Sequence, residues 1–407
     1  MSHSASTRSL LKALESRTLV FDGGMGTQIH ACADCRPSDY LGRDNCTDIL
    51  VKSRPDIIQR IHENYFAAGA DVVETDSFGA NILVGREFDE ELASWTFDLN
   101  KRAAEVARAA AAKFETPDRP RFAIGSMGPG TKLVSLGQVT WEEMHASYFE
   151  QARGLIAGGI DGFMIETSQD LLQQKIAINA CIDALREAGL TPDDRAIFSS
   201  VTIETTGTML LGSDIAAVVN ALKPFPIASL GLNCATGPVE MAEHVAYIAR
   251  NWDRAISVLP NAGLPILVEG RTEYPLQAKP FREAMRRFLE EYKVNSVGGC
   301  CGTTPEHIRE LRGLVDELGL SKKQSMKPRE RASTPQAPGC SSLYGFVEFA
   351  QENSFLIVAE RTNANGSRKF KRLLDESDFD GLVSMAREEI KDGGQVLDVC
   401  VDFVGRN

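Results

Sequence analysis

Gly162-Phe163-Met164-Ile165-Glu166 is a near-continuous apolar run that starts on a glycine and ends on a carboxylate. A strand with one wet face alternates apolar and polar residues, whereas a strand covered on both faces reads as unbroken apolar sequence, the pattern of parallel sheets flanked by helices. Similar runs occur at Leu19-Val20-Phe21-Asp22, Asp71-Val72-Val73-Glu74-Thr75, Phe122-Ala123-Ile124-Gly125-Ser126 and Ala196-Ile197-Phe198-Ser199-Ser200-Val201. Ala228-Ser229-Leu230-Gly231-Leu232-Asn233, Pro265-Ile266-Leu267-Val268-Glu269 and Val294-Asn295-Ser296-Val297 complete a set of eight. Helical patterns separate them: Pro55 opens one that runs to Ala68-Gly69, and Thr140-Trp141-Glu142-Glu143 has the spacing of an N-terminal cap. Eight strand-helix units predict an α/β fold, a TIM (β/α)8 barrel over residues 10–320.

In such a barrel the chemistry sits at the C-terminal ends of the strands. Asp22, Glu74 with Thr75, Ser126, Glu166, Cys234 and the pair Cys300-Cys301 all fall at those ends. Cys234 lies in Gly231-Leu232-Asn233-Cys234-Ala235-Thr236-Gly237 and the pair in Val297-Gly298-Gly299-Cys300-Cys301-Gly302-Thr303-Thr304. Three thiolates with no fourth protein ligand are the donor set of a catalytic zinc, since structural sites close all four positions. Neighbouring residues of a regular strand point to opposite faces, so Cys300 and Cys301 reach one ion only where the strand breaks, which Gly298, Gly299 and Gly302 allow. Two other readings of the thiols stay open: inert buried cysteines and a vicinal disulfide.

The chain has 407 residues, 43% of them hydrophobic and 25% charged, enough for one large barrel and something more. A net charge of −12 without a basic stripe excludes a nucleic-acid surface. No apolar run approaches the roughly 18 residues of a membrane span, and the start, Met1-Ser2-His3-Ser4-Ala5-Ser6-Thr7-Arg8, lacks a secretory signal. Nine cysteines, an odd number, fit a reducing cytoplasm. Cys32 and Cys35 form a Cys-x-x-Cys, but with Cys46 they occupy a polar loop without strand-helix context and are read as loop residues. His145, His244 and His307 lie on helical patterns and are read as ordinary helix residues.

Residues 321–343, rich in Lys, Arg, Ser and Pro, are read as a linker. Beyond it the strand patterns Phe355-Leu356-Ile357-Val358-Ala359 and Gln395-Val396-Leu397-Asp398-Val399 bracket a helix. Residues 344–407 are thus the start of a second α/β barrel, left incomplete because two such units cannot close one.

The two cysteine motifs, with Phe21-Asp22-Gly23-Gly24-Met25-Gly26-Thr27, resemble the homocysteine-binding domain of the zinc-dependent homocysteine S-methyltransferases. Val358-Ala359-Glu360-Arg361-Thr362-Asn363-Ala364-Asn365-Gly366-Ser367-Arg368-Lys369-Phe370 resembles the start of the folate-binding barrel of the cobalamin-dependent methionine synthases. The resemblance implies that Cys234, Cys300 and Cys301 hold Zn2+ and activate homocysteine for methyl transfer, giving methionine. It implies that Asp22, Gly23 and Gly24 lie beside the amino acid and that Glu166 receives its ammonium. Ser126 and Asn233 are further candidates for that site, the alternative being that they satisfy loop backbone groups. In the second domain it implies a pterin site with Asn363 and Asp398, although Asp398-Val399-Cys400-Val401-Asp402 lacks the asparagine family members often carry there. The resemblance further implies methylcobalamin as the methyl donor, expected to be bound by a module absent from this sequence and recharged from methyltetrahydrofolate. Two alternatives are a stand-alone methyltransferase using betaine or S-methylmethionine, and a non-catalytic zinc or amino-acid binding module.

Overall fold

The computed structural model of the chain describes residues 9–268, 271–321 and 336–405. It divides into two compact units between Pro335 and Gln336. In the first, seven parallel strands run in chain order: β1 (Leu19–Val20), β2 (Val72–Glu74), β3 (Phe122–Met127), β4 (Gly162–Ser168), β5 (Ala196–Val201), β6 (Ser229–Asn233) and β7 (Ala255–Leu259). A hairpin, β8 (Ile266–Val268) with β9 (Arg271–Glu273), precedes the last barrel strand, β10 (Ser296–Val297). The sheet order is β1-β10-β7-β6-β5-β4-β3-β2, and a parallel bridge from Phe21 to Val72 joins its two edges. The eight-stranded TIM barrel read from the sequence is the fold.

Helices form where the sequence signals them. The helix Pro55–Ala68 has proline at its first position and ends at Gly69, whose φ of 110° no β-carbon tolerates well. The helix Trp141–Gly158 starts with a capping box between Thr140 and Glu143. Their apolar faces pack on the outer surface of the strands in one large core. A second, smaller core fills the lumen: Leu19, Phe21, Val72, Phe122, Ile124, Met164, Phe198 and Leu259, closed from below by Leu10, Ala13 and Leu14 of the helix Leu10–Ser16. The Phe21 and Phe198 rings meet edge to face at 5.5 Å across it. Below the strands Asp71, fully buried, accepts from Val20 N and pairs with Arg17, Arg119, Arg121 and Arg312.

One strand lies elsewhere than the sequence reading put it. The seventh barrel strand is Ala255–Leu259, not Pro265–Glu269, of which Glu269 falls outside the described residues. Ile266, Leu267 and Val268 stay exposed and pair antiparallel with Arg271–Glu273. Hydrophobicity favoured the wrong run because β7 carries Ser257 at its centre. A β-carbon on the facing Gly231 would come within 2.1 Å of Ser257 Oγ, so this glycine-serine contact lets β6 and β7 lie close.

The second unit has its own small core of Ala364, Phe370, Leu373, Leu374 and Met385. Here β11 (Gly339–Ser341) and β12 (Phe346–Glu348) form an antiparallel hairpin, while β13 (Val358–Ala359) and β14 (Val396–Leu397) pair in parallel around the helices Arg368–Asp375 and Phe379–Lys391. The tail of the segment read as linker is therefore hairpin, because Gly339 packs against Phe346 and lets the strands close. Linker residues 322–335 lie outside the described residues.

Candidate functional site: three thiols and three carboxylates at the barrel mouth

The sulfurs of Cys234, Cys300 and Cys301 lie within 4.8 Å of one another, with 3.9 Å between Cys234 and Cys301. Tetrahedral zinc with Zn–S near 2.3 Å needs sulfurs about 3.8 Å apart, so the donor set fits that ion. Backbone geometry brings them together. After β6, Cys234 and Ala235 both adopt left-handed φ, 58° and 54°, which for non-glycine residues costs about 1–3 kcal/mol each. After β10 the strand breaks at Gly298-Gly299, and Gly302 (φ 77°) turns the chain with no room for a β-carbon beside Tyr274.

The cysteine turn is held from two sides. Cys300 N donates to Pro260 O at 2.9 Å, Cys301 N to Asn261 Oδ1 at 3.1 Å, and Ala262 N to Cys301 O at 3.0 Å. From the other side Gly302 N donates to Thr27 Oγ1 at 2.9 Å and Gly24 N to Thr303 Oγ1 at 3.1 Å. A β-carbon on Gly23 would lie 2.5 Å from Thr303 Oγ1, and one on Gly24 2.8 Å from Cys300 O. These two glycines thus let the first loop close on the thiols, and the Gly24 N–H is occupied by Thr303.

Beside the thiols the lumen turns from apolar to acidic. Glu166 accepts from Ser126 Oγ at 2.5 Å and from Asn233 Nδ2 at 3.1 Å. Asn233 Nδ2 also reaches Thr167 Oγ1 at 2.8 Å and approaches Cys300 Sγ at 4.0 Å, so this residue spans the acidic and thiol halves. The β4–β5 register shifts between Ile165 and Ser168, and Thr167 takes φ 56°, which interrupts the ladder at Glu166. Asp22 Oδ2 accepts from Glu74 N at 3.1 Å, while Asp22 Oδ1 and Glu74 Oε1 are buried without a partner. Burial, then the charge of Glu166, raises Glu74 well above its usual range. Burial likewise raises Asp22, and it pushes Glu166 up to about 7 against the Ser126 hydrogen bond.

The structure therefore gathers Asp22, Gly23, Gly24, Ser126, Glu166, Asn233 and the three cysteines in one place. Sequence reasoning assigned no role to Glu74 or to Asn261. Glu74 stood at a strand end, the signal that marked the others; Asn261 was hidden by the misplaced seventh strand. In the second unit Asn363 Nδ2 donates to Asp398 Oδ2 at 2.8 Å. His145 lies between Trp141, 4.8 Å away in a stack, and Asp183 at 3.0 Å; His307 binds Thr304 and Leu276 O. Around the mouth, large apolar side chains on the strand-to-helix connections face solvent: Phe78, Leu136, Leu210, Val239, Leu264 and Leu267. No helix among the described residues is long and apolar enough to cross a membrane.

The family profile described as homocysteine S-methyltransferase matches residues 19–315. Two curated proteins named methionine synthase, from Mycobacterium tuberculosis (strain ATCC 25618 / H37Rv) and Mycobacterium leprae (strain TN), are each 43% identical over 398 residues, 98% of this chain. The chain spans 32% of the length of each. Crystal structures of the Escherichia coli homocysteine methyltransferase MmuM share the fold. The oxidized form has a TM-score of 0.58 and 22% identity over 76% of this chain and 99% of that one. The metallated form has a TM-score of 0.56 and 22% identity over 74% and 96%.

Proposed function

We propose, from the fact that the chain belongs to the homocysteine S-methyltransferase family, that its barrel is the homocysteine-activating part of a methionine synthase. The observation that carries the reading is the juxtaposition of three thiols with three carboxylates, two of which keep a buried oxygen without a partner. Zinc, when held by Cys234, Cys300 and Cys301, supplies the Lewis acidity that lets a substrate thiol react as its thiolate at neutral pH.

The remaining work belongs to the chain. Glu166, Asp22 and Glu74 receive the ammonium of homocysteine, whose positive charge favours the ionised carboxylates that burial and their mutual repulsion disfavour in the empty pocket. Ser126 and Asn233 hold Glu166 at both oxygens, so the ammonium meets a fixed acceptor. The left-handed Cys234 and the clamps on Cys300 and Cys301 set the thiols before substrate arrives. The exposed apolar rim fits docking of a methylcobalamin-carrying module, ultimately recharged from methyltetrahydrofolate. The second unit, with its Asn363–Asp398 pair, belongs to a pterin-binding domain, and the protein works in the cytoplasm.

The test is methyl transfer by the full chain loaded with zinc. Slow methionine formation from homocysteine and free methylcobalamin is expected, without the proximity advantage of a tethered donor, and no turnover with methyltetrahydrofolate alone. Turnover with betaine or S-methylmethionine instead would replace the proposed donor. No turnover with any donor would leave an amino-acid binding module.

A further inference from the structure

The Cys-x-x-Cys of Cys32 and Cys35 has a geometry of its own. Cys35 N donates to Cys32 O at 3.1 Å, closing the four residues Cys32-Ala33-Asp34-Cys35 into a turn. Such a turn holds its end α-carbons within about 7 Å, close to the span a disulfide bridges. Both thiols are partly exposed at the edge of the main core. Their surroundings differ. Arg60 Nη2 lies 3.3 Å from Cys32 Sγ and 3.0 Å from Asp34 Oδ2, whereas Cys35 Sγ meets only the neutral Tyr40 hydroxyl, at 3.7 Å. A sulfur that gains negative charge during thiol exchange thus has a guanidinium in direct contact at Cys32, whereas the contact of Cys35 is a hydroxyl and the nearby Arg54 guanidinium is engaged by Asp34 O, Asp39 and Asp56. Cys46 is no alternative partner: it is buried, and burial with the nearby Asp48 charge pushes its thiol up to about 12.

We propose that Cys32 and Cys35 are a redox-active dithiol, a modification site that takes small disulfides of cellular thiols and closes to an intramolecular disulfide. Cys32, after losing its proton to water, attacks one sulfur of R–S–S–R; a Cys32–S–R bond forms, the S–S bond breaks and RS⁻ leaves. Cys35, its proton likewise lost, then attacks Cys32 Sγ; the Cys32–Cys35 bond forms and the second RS⁻ leaves. The two protein thiols are oxidised by two electrons, and the small disulfide is reduced to two thiols that recover the protons. The bond forms directly after the helix Met25–His30, to which Cys32 N is tied through Ile29 O at 3.0 Å. Thr27 of that helix accepts from Gly302 N, so oxidation of the turn fixes one end of an element that also braces the cysteine loop at the mouth.

The experiment incubates the full chain with bis(2-hydroxyethyl) disulfide, blocks remaining thiols by alkylation and maps peptides by mass. The wild type is expected to yield a Cys32–Cys35 peptide lighter by two hydrogens and reversible by dithiothreitol. Cys35→Ser is expected to stop at a mixed disulfide on Cys32, and Cys32→Ser to leave Cys35 mostly alkylated. Adding Arg60→Ala to Cys35→Ser should slow mixed-disulfide formation about threefold or more. Recovery of both wild-type thiols in alkylated form would overturn the proposal. So would equal labelling of Cys35 in Cys32→Ser, or an Arg60→Ala rate equal to its parent. These readouts follow peptides outside the zinc triad and do not depend on homocysteine activity.

Discussion

The two ends of the barrel treat buried charge in opposite ways. Below the strands, the single carboxylate Asp71 has four guanidinium partners, those of Arg17, Arg119 and Arg121 at 3.3–3.6 Å and that of Arg312. Burial alone would raise its pKa, but Arg312, then Arg17 and Arg119, overcome burial and hold it below the usual carboxylate range. At the mouth, Asp22, Glu74 and Glu166 lean on one another with no basic side chain among the causes that shift them. An unpaired buried carboxylate is costly. The lower carboxylate is compensated by its own chain, whereas those at the mouth are held toward their protonated forms, and under the proposed function the substrate ammonium supplies the missing positive charge.

The strongest way to break the contrast is Asp71→Asn. Removing one partner of a buried charge cluster should cost about 3–5 kcal/mol in denaturant unfolding, with metal content per folded chain unchanged. Asp71 has a depressed folded pKa, so its contribution is present above the unfolded value near 3.9 and disappears as pH falls through the folded value. The wild type should therefore show an acid limb that the variant lacks, and superimposable limbs would mean that Asp71 is not the clamp.

At the other end, Cys301→Ala should leave unfolding of the metal-free chain nearly unchanged and weaken zinc binding by about a hundredfold or more, from close to one equivalent in the wild type by metal analysis. Full retention of metal would remove Cys301 from the ligand set. Glu166→Gln should keep the metal and weaken homocysteine binding by about 1.5–3 kcal/mol in calorimetry. An unchanged affinity would make Glu166 a structural carboxylate. The smallest effect belongs to Glu74→Gln: a loss of about 1 kcal/mol is expected for homocysteine, with none for 4-mercaptobutanoate, which lacks the ammonium. Equal losses for both ligands would assign Glu74 to packing.

Most of this was legible because a barrel turns sequence order into position. Glu166 and Cys234 each stand at the end of an apolar run, and once eight runs are found their convergence follows from closure alone. Ser257 hid the seventh strand, since an interior serine facing Gly231 weakens the only signal a buried strand carries. With that strand went Asn261. The pairing of Asp71 with Arg17, Arg119, Arg121 and Arg312 was illegible for another reason: Arg17, Asp71, Arg119 and Arg121 sit in connections where polarity is the expectation, and Arg312 on the helix Pro305–Glu317 reads as one more polar helix position. Gly23 and Gly24 were read as a turn beside the substrate, yet what requires them is the closeness of Thr303 and Cys300, a contact between the two ends of the barrel sequence.

The helix Leu10–Ser16, which closes the lumen from below, has a consequence for traffic. With Leu10, Ala13 and Leu14 sealing one end against Phe21, Phe122 and Phe198, the vessel as formed by the described residues is blind at that end and opens at the mouth. Under the proposed reaction everything that enters or leaves must queue there. Homocysteine has to settle before the methyl carrier covers the opening, and methionine cannot depart until the carrier withdraws. Turnover then runs in a compulsory order imposed by plumbing rather than by affinity, and a carrier that docks too firmly would slow the cycle by trapping the product.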